Sequence, residues 1–227
     1  MKRLFLLFFI VASGSLFGQS HFIGIQTGIN TSSAFDAVQE ELRFNAKPFG
    51  GITYEFVSSR NFIFDSELLF YPIGFYIESQ GTNENMTEVG SEQMFLSYNY
   101  LSLPLKFGYK LGSDFYYSLK LGIAPSYLLE ASHNISDDSS NKTMPSLLKK
   151  SMLINPEIAN NEDKAGKFDI AALAEFGLGY EFKNRINLGL NIGFRQSLLE
   201  LSNADYFPEK HLLLYGFLCS LEAKYRL

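Results

Sequence analysis

Hydrophobic and polar residues alternate along much of the chain with a period of two. The clearest stretch is RINLGLNIGF, residues 185–194, where Ile186, Leu188, Leu190, Ile192 and Phe194 share one side of an extended backbone. Arg185, Asn187, Gly189, Asn191 and Gly193 share the other, and Arg195 continues it. Successive side chains of a strand point to opposite faces, so this stretch predicts a strand with one apolar and one polar face. The pattern recurs in FIGIQTGIN (22–30), GGITYEF (50–56), NFIFDSELLFY (61–71) and YLSLPLKFGYKL (100–111). It recurs again in DFYYSLKLGI (114–123), KFDIAALAEFGLGYEF (167–182) and LYGFLCSLEAKYRL (214–227). Eight strands are predicted. Several are as long as the roughly 9–11 residues a tilted strand needs to cross a bilayer, whereas soluble strands average about 5–6.

The connections carry a second signal. SSR near 58–60, GS at 112–113 and KN at 183–184 are tight turns, and each is followed by a long polar connection. Long loops are expected over about 31–47, 78–97, 131–166 and 202–210. Strict alternation of short and long connections is the layout of an up-and-down barrel with all its long loops at one end. The fold expected is therefore all-β, an eight-stranded antiparallel transmembrane barrel. Its apolar face looks at lipid and its polar face fills the lumen.

The polar face is charged on both signs. Its acids are Glu55, Asp65, Glu67, Asp169, Glu175, Glu181 and Glu222; its bases are Lys106, Lys110, Lys120, Arg185, Arg195, Lys224 and Arg226. An eight-stranded barrel is only wide enough for side chains to fill it. Charges so confined must pair, which predicts a lumen plugged by ion pairs. Arg185 and Arg195 are expected at opposite ends of that lumen, with Glu175 the carboxylate for Arg195. Pro104 cannot donate to a ladder, and a bulge is expected beside it with pairing resumed at Lys106. Tyr71, Tyr76, Tyr98, Tyr100, Tyr109, Tyr116, Tyr117, Tyr180, Tyr215 and Tyr225 lie toward strand ends and predict aromatic girdles at the membrane interfaces.

Composition narrows the function classes. The net charge of −5 and the lack of a Lys/Arg block give no sign of nucleic-acid binding. The single cysteine, Cys219, rules out a disulfide framework. Residues 1–18 read as a signal peptide, with basic Lys2 and Arg3, an apolar run from Leu4 to Ala12 and small residues up to Gly18. The barrel domain is then 19–227.

Three segments resemble the PorT family of outer-membrane barrels of Bacteroidota, the outer membrane protein β-barrel domain. GIQTGINTSS (24–33) is similar to its glycine-spaced first strand. Tyr100-Leu101-Ser102-Leu103-Pro104-Leu105-Lys106 resembles its aromatic-Leu-x-Ile/Leu-Pro-Leu motif, and Asp169 to Tyr180 its strand with paired glycines. Tyr225-Arg226-Leu227 fits a barrel-assembly signal, although Leu227 stands where Phe is usual. The resemblance implies a cell outer-membrane location, and its founding member is implicated in protein secretion.

No phosphate loop, zinc-type spacing or nucleophile elbow occurs. No enzyme activity, catalytic residue, metal or cofactor is expected. His133, Ser136 and Asp137 are the one constellation that would suit a lipid-modifying rim triad. The loop 131–166 is the expected seat of function, and PSLLKKSMLI (145–154) within it has the pattern of a short amphipathic helix. Expected partners are outer-membrane lipid, the barrel-assembly machinery during biogenesis and a protein partner at loop 131–166. The expected function is a structural or interaction barrel, with a role as an accessory of surface protein secretion. A small-solute channel is the alternative.

Overall fold

Alternation along the chain becomes a single antiparallel sheet closed on itself. The computed structural model describes residues 19–35, 41–82, 88–136, 167–183, 185–199 and 213–227. β1 (Ser20–Phe35) pairs with β2 (Glu41–Val57), and β2 with β3 (Phe62–Thr82). β3 pairs with both β4 (Glu88–Ser102) and β5 (Leu105–Gly112), which together make one wall strand. That wall strand pairs with β6 (Phe115–Ser136), followed by β7 (Phe168–Glu181), β8 (Ile186–Ser197) and β9 (Leu213–Arg226). β9 pairs back onto β1, so the wall has eight strands and no edge.

Register fixes how the wall leans. Direct partners run from Phe22 through Glu55, Asp65, Lys106, Gly122, Leu173, Arg195 and Gly216, and return to β1 at Ser32. The circuit ends ten residues along from its start. Such a stagger on eight strands requires a tilt of about 40° to the barrel axis.

Pro104 does not cause a bulge. Ser102 pairs with Leu69 and Ser126, Leu105 pairs with Ser66 and Ile123, and the register is the same on both sides of the proline. Pairing resumes at Leu105, not Lys106. Glu67 still donates its N–H to the Pro104 carbonyl at 3.0 Å, and Leu103 donates to Pro125 at 2.8 Å. Pro104 and Pro125 themselves have no N–H to return these bonds. The irregularities lie elsewhere. Leu129 is an extra residue between the pairs Asn99–Glu130 and Tyr100–Leu128. The β2–β3 register shifts between Phe44 and Gly50, a segment that contains Pro48 and faces the part of β3 that contains Pro72. There β1 reaches across: Asn30 donates to the Pro72 carbonyl at 3.1 Å, while Ser32 donates to the Gly74 carbonyl at 2.9 Å and accepts from its N–H at 3.0 Å.

The strands run further than alternation indicated. β1 and β2 remain paired out to Ser32–Asn45, and β3 and β4 out to Thr82–Glu88, so much of the expected loops 31–47 and 78–97 is wall. β6, at 22 residues, climbs roughly 55 Å at this tilt, against an apolar band of about 25 Å. Beyond lipid the outward face has no need of apolar residues, and the period-two signal fades. His133 and Ser136 belong to the end of β6 rather than to a polar loop. Asp137, the stretch 145–154, the segment 1–18 and the loop 202–210 lie outside the described residues.

The two faces differ as the alternation requires. On β8, Asn187 is 0% exposed and Arg195 3%, whereas Leu190 is 42% and Ile192 54%. On β6, Phe115, Tyr117, Leu119, Leu121, Ile123, Tyr127 and Leu129 all face out. Exposed Tyr54, Tyr109, Tyr117, Tyr180 and Tyr225 ring the short-turn end. Tyr71, Tyr98, Tyr100 and Tyr116, by contrast, are buried. They are inner residues, not girdle residues.

Two of the short turns have the same build. Ser58 donates to Phe62 and Asn61 to Ser58; Phe182 donates to Ile186 and Arg185 to Phe182. The last turn residue is left-handed in both, with φ of 63° at Asn61 and 71° at Arg185. Asn tolerates that conformation better than Arg does. Arg185 is exposed in its turn and is not a lumen residue. Replacing it with glycine should leave stability unchanged or raise it by up to about 1 kcal/mol. Urea unfolding of the refolded protein in detergent checks this, and a clear loss of stability would count against the turn assignment.

Candidate functional site

Charged side chains fill the inner half of the wall nearest the short turns. The Lys106 ammonium lies 2.6 Å from Glu67, 2.9 Å from Glu175 and 3.5 Å from Asp65. Lys120 lies 2.7 Å from Asp65 and 2.8 Å from Glu175, which stands directly opposite it in the β6–β7 ladder. Lys224 bridges Glu55 at 2.5 Å and Glu222 at 2.8 Å. All eight of these residues are buried. Neutral groups complete the shell. The Thr53 hydroxyl lies within reach of both Asp65 and Glu222, and Asn191 donates to Glu222 at 3.3 Å. The Gln26 amide, assigned with its nitrogen toward Glu67, donates to that carboxylate at 2.8 Å and accepts from Ser220.

Toward the short turns, Lys110 lies 3.3 Å from Glu181, and Arg226 lies 3.1 Å from the other oxygen of the same carboxylate. Lys110 also stands 3.9 Å from the centre of the Tyr116 ring, whose hydroxyl donates to Asn187 at 2.7 Å. Gly179 makes room for that ring: a Cβ there would lie 2.3 Å from the Tyr116 hydroxyl. Arg226 has a half-exposed side chain, so it caps the network from the rim rather than lying within it.

Above the central group lies a second polar level. Arg195 pairs with Asp169 at 3.0 Å and donates to Ser126 at 2.9 Å and Ser102 at 3.2 Å. Ser197 donates to the same Asp169. The expected Arg195–Glu175 pair does not form. Glu175 is engaged by Lys120 across the ladder and by Lys106 one strand further, leaving Arg195 to Asp169. The Arg195 guanidinium lies 4.4 Å from the centre of the Tyr71 ring. Beyond it the lumen turns apolar, with Phe49, Leu69, Tyr71, Ile73, Phe75, Tyr98, Tyr100, Leu128 and Leu214 packed into one buried cluster.

Of the fourteen charged residues expected inside, Arg185 stands apart in a turn and Arg226 lies at the exposed rim. Alternation placed Gln26, Asn187, Asn191 and Ser102 on the inner face but offered no sign of which carboxylate or hydroxyl each meets. The inner apolar cluster was missed because its tyrosines have the composition of an interfacial girdle. The carboxylates of Asp65, Glu67 and Glu222 approach within 4.8 Å of one another. Lys106, Lys120 and Lys224 supply the positive charge among them.

A closed eight-stranded wall with lipid-facing apolar residues and a charged, filled lumen is a small membrane-spanning β-barrel. The chain belongs to the outer membrane protein beta-barrel domain family, whose model matches residues 17–203, and the protein therefore resides in the cell outer membrane. Among solved structures it is similar to OprG from Pseudomonas aeruginosa, at 9% identity over 92% of this chain and 96% of that one, with a TM-score of 0.46. It is also similar to Ail of Yersinia pestis, at 10% identity over 91% and 98% of the two chains and a TM-score of 0.40. The outer membrane protease OmpT from Escherichia coli matches at 6% identity over 92% and 96%, with a TM-score of 0.42. No curated protein matches the chain.

Removing one partner of a buried ion network leaves the rest uncompensated, whereas an exposed pair is worth little. Lys106→Met should therefore destabilise the barrel by about 3–5 kcal/mol, and Arg226→Ala by less than about 1 kcal/mol. Denaturant titration of both variants in the same detergent checks the contrast. Equal effects would count against a network centred on Lys106.

Proposed function

We propose that the protein is a non-enzymatic outer-membrane barrel that acts through its outward loops as a structural or interaction element. The observation that carries this is the lumen itself. Side chains from every wall strand meet across it in a network of ion pairs and hydrogen bonds, with an apolar cluster stacked above. A solute would have to separate several buried charges to pass, and each unpaired charge is costly. The wall also stands well clear of the apolar band on the long-loop side, which suits a rigid pedestal for binding loops.

The more specific form of this proposal is membership of the PorT family and a role as an accessory of surface protein secretion. The motif Tyr100–Lys106, now placed across the β4–β5 junction, and the paired Gly177 and Gly179 support it. Export by residues 1–18 and a protein partner at the segment 131–166 belong to the same proposal.

Planar-bilayer recording on the refolded full barrel tests the plugged lumen. No steady single-channel steps are expected. Reproducible unitary steps would overturn the proposal in favour of a small-solute channel.

A further inference from the structure

Between the central lysine network and the Arg195 level lies a cavity of about 20 Å³, bordered by Gln26, Glu67, Tyr71, Lys106, Glu175 and Arg195. We infer that it is the binding site of a single water molecule that joins the two polar levels of the lumen. Three properties of the site select that occupant.

The first is an unmet donor. Tyr71 is 1% exposed and its hydroxyl has no hydrogen-bond partner among the described residues. Buried hydroxyls almost always find a partner, and Tyr71 is one of the residues that line the cavity. Glu175 adds an acceptor: its Oε1 lies 2.8 Å from the Lys120 ammonium without an aligned hydrogen bond. The second is charge. Two carboxylates, Glu67 and Glu175, border the cavity together with two cations, Lys106 and Arg195. A cation placed there would face both of the positive groups and an anion both carboxylates, so a neutral occupant is favoured. The third is size. The space suits one water and is too small for a hydrated ion or an organic solute. Water can accept from the Tyr71 hydroxyl and donate to a carboxylate, a combination that an apolar occupant cannot provide.

The consequence is continuity. Glu67, Lys106 and Glu175 belong to the central network, and Tyr71 lies under Arg195 at the floor of the apolar cluster. A bridging water ties the central network to Tyr71, whose ring lies against the Arg195 guanidinium. The inference concerns the lumen alone and does not depend on what the outward loops bind.

Water–protein cross-relaxation NMR on the isotope-labelled, refolded full barrel in micelles tests it. A long-lived water contact to the Tyr71 ring is expected in the natural sequence. It should be lost in Tyr71→Phe, with the folded barrel confirmed by unchanged heat-modifiable gel migration. The absence of that contact in the natural sequence overturns the inference, as does an unchanged contact in the folded variant. Should Tyr71→Phe fail to fold, the spectrum of the natural sequence decides alone. Exchanging sodium for choline at constant ionic strength should leave the thermal midpoint unmoved. A lower midpoint in choline would overturn the water assignment in favour of a bound monovalent cation.

Discussion

Neutralisation of buried charge is the constraint on which the rest of this barrel depends. Lys106 has three carboxylates, Asp65, Glu67 and Glu175, around one ammonium in a space that bulk water does not reach. Desolvation of any one of these ions alone would cost several kcal/mol, on the order of a small protein's whole stability. They are tolerated because the wall brings them together. The wall in turn is held open at its small diameter by the side chains inside it. Glycines on the inner face, Gly179 beside Tyr116 among them, set how closely those side chains approach the backbone.

Register decides which charges meet. A stagger of ten residues around eight strands means that an inward side chain finds neighbours above and below its own level as well as across the ladder. Lys106 on β5 thus reaches Glu175 on β7, with β6 between them. Lys224 on β9 reaches Glu55 on β2, with β1 between them. The same geometry explains the vertical order of the lumen. Ion pairs fill the part nearest the short turns, Arg195 and Asp169 form a second level, and aromatic residues close the part beyond.

The period-two pattern was sufficient to find the wall strands and to sort their faces. Leu190 and Asn191 end up on opposite sides of the wall because a strand allows nothing else. Loop lengths indicated which end carries the turns. Pairing between particular charges was not legible, since it depends on tilt and stagger, which no single strand encodes. Arg195 shows this: the acid expected for it, Glu175, faces Lys120 directly, and Asp169 takes its place. Arg185 kept the alternation but lies past the end of its strand, where a left-handed turn residue is needed. Tyr71 and Tyr100 share the inner-face parity of Glu67 and Lys106, but their residue type is that of interfacial tyrosines, so an apolar level inside the lumen was not legible from it. The outward extension of β3 and β6 was hidden for a different reason, since strand above the lipid carries no apolar alternation.

Orientation of the two faces is the central claim, and lipid contact tests it most directly. The chain contains no tryptophan, so an introduced one reports without background. Leu188→Trp, Leu190→Trp and Ile192→Trp place the indole on the exposed face of β8. In liposomes of brominated lipid all three should be strongly quenched, with Leu190→Trp responding to bromines deep in the acyl chains. Fluorescence of Leu190→Trp unaffected by brominated acyl chains, in a barrel that still migrates as folded, would contradict the account.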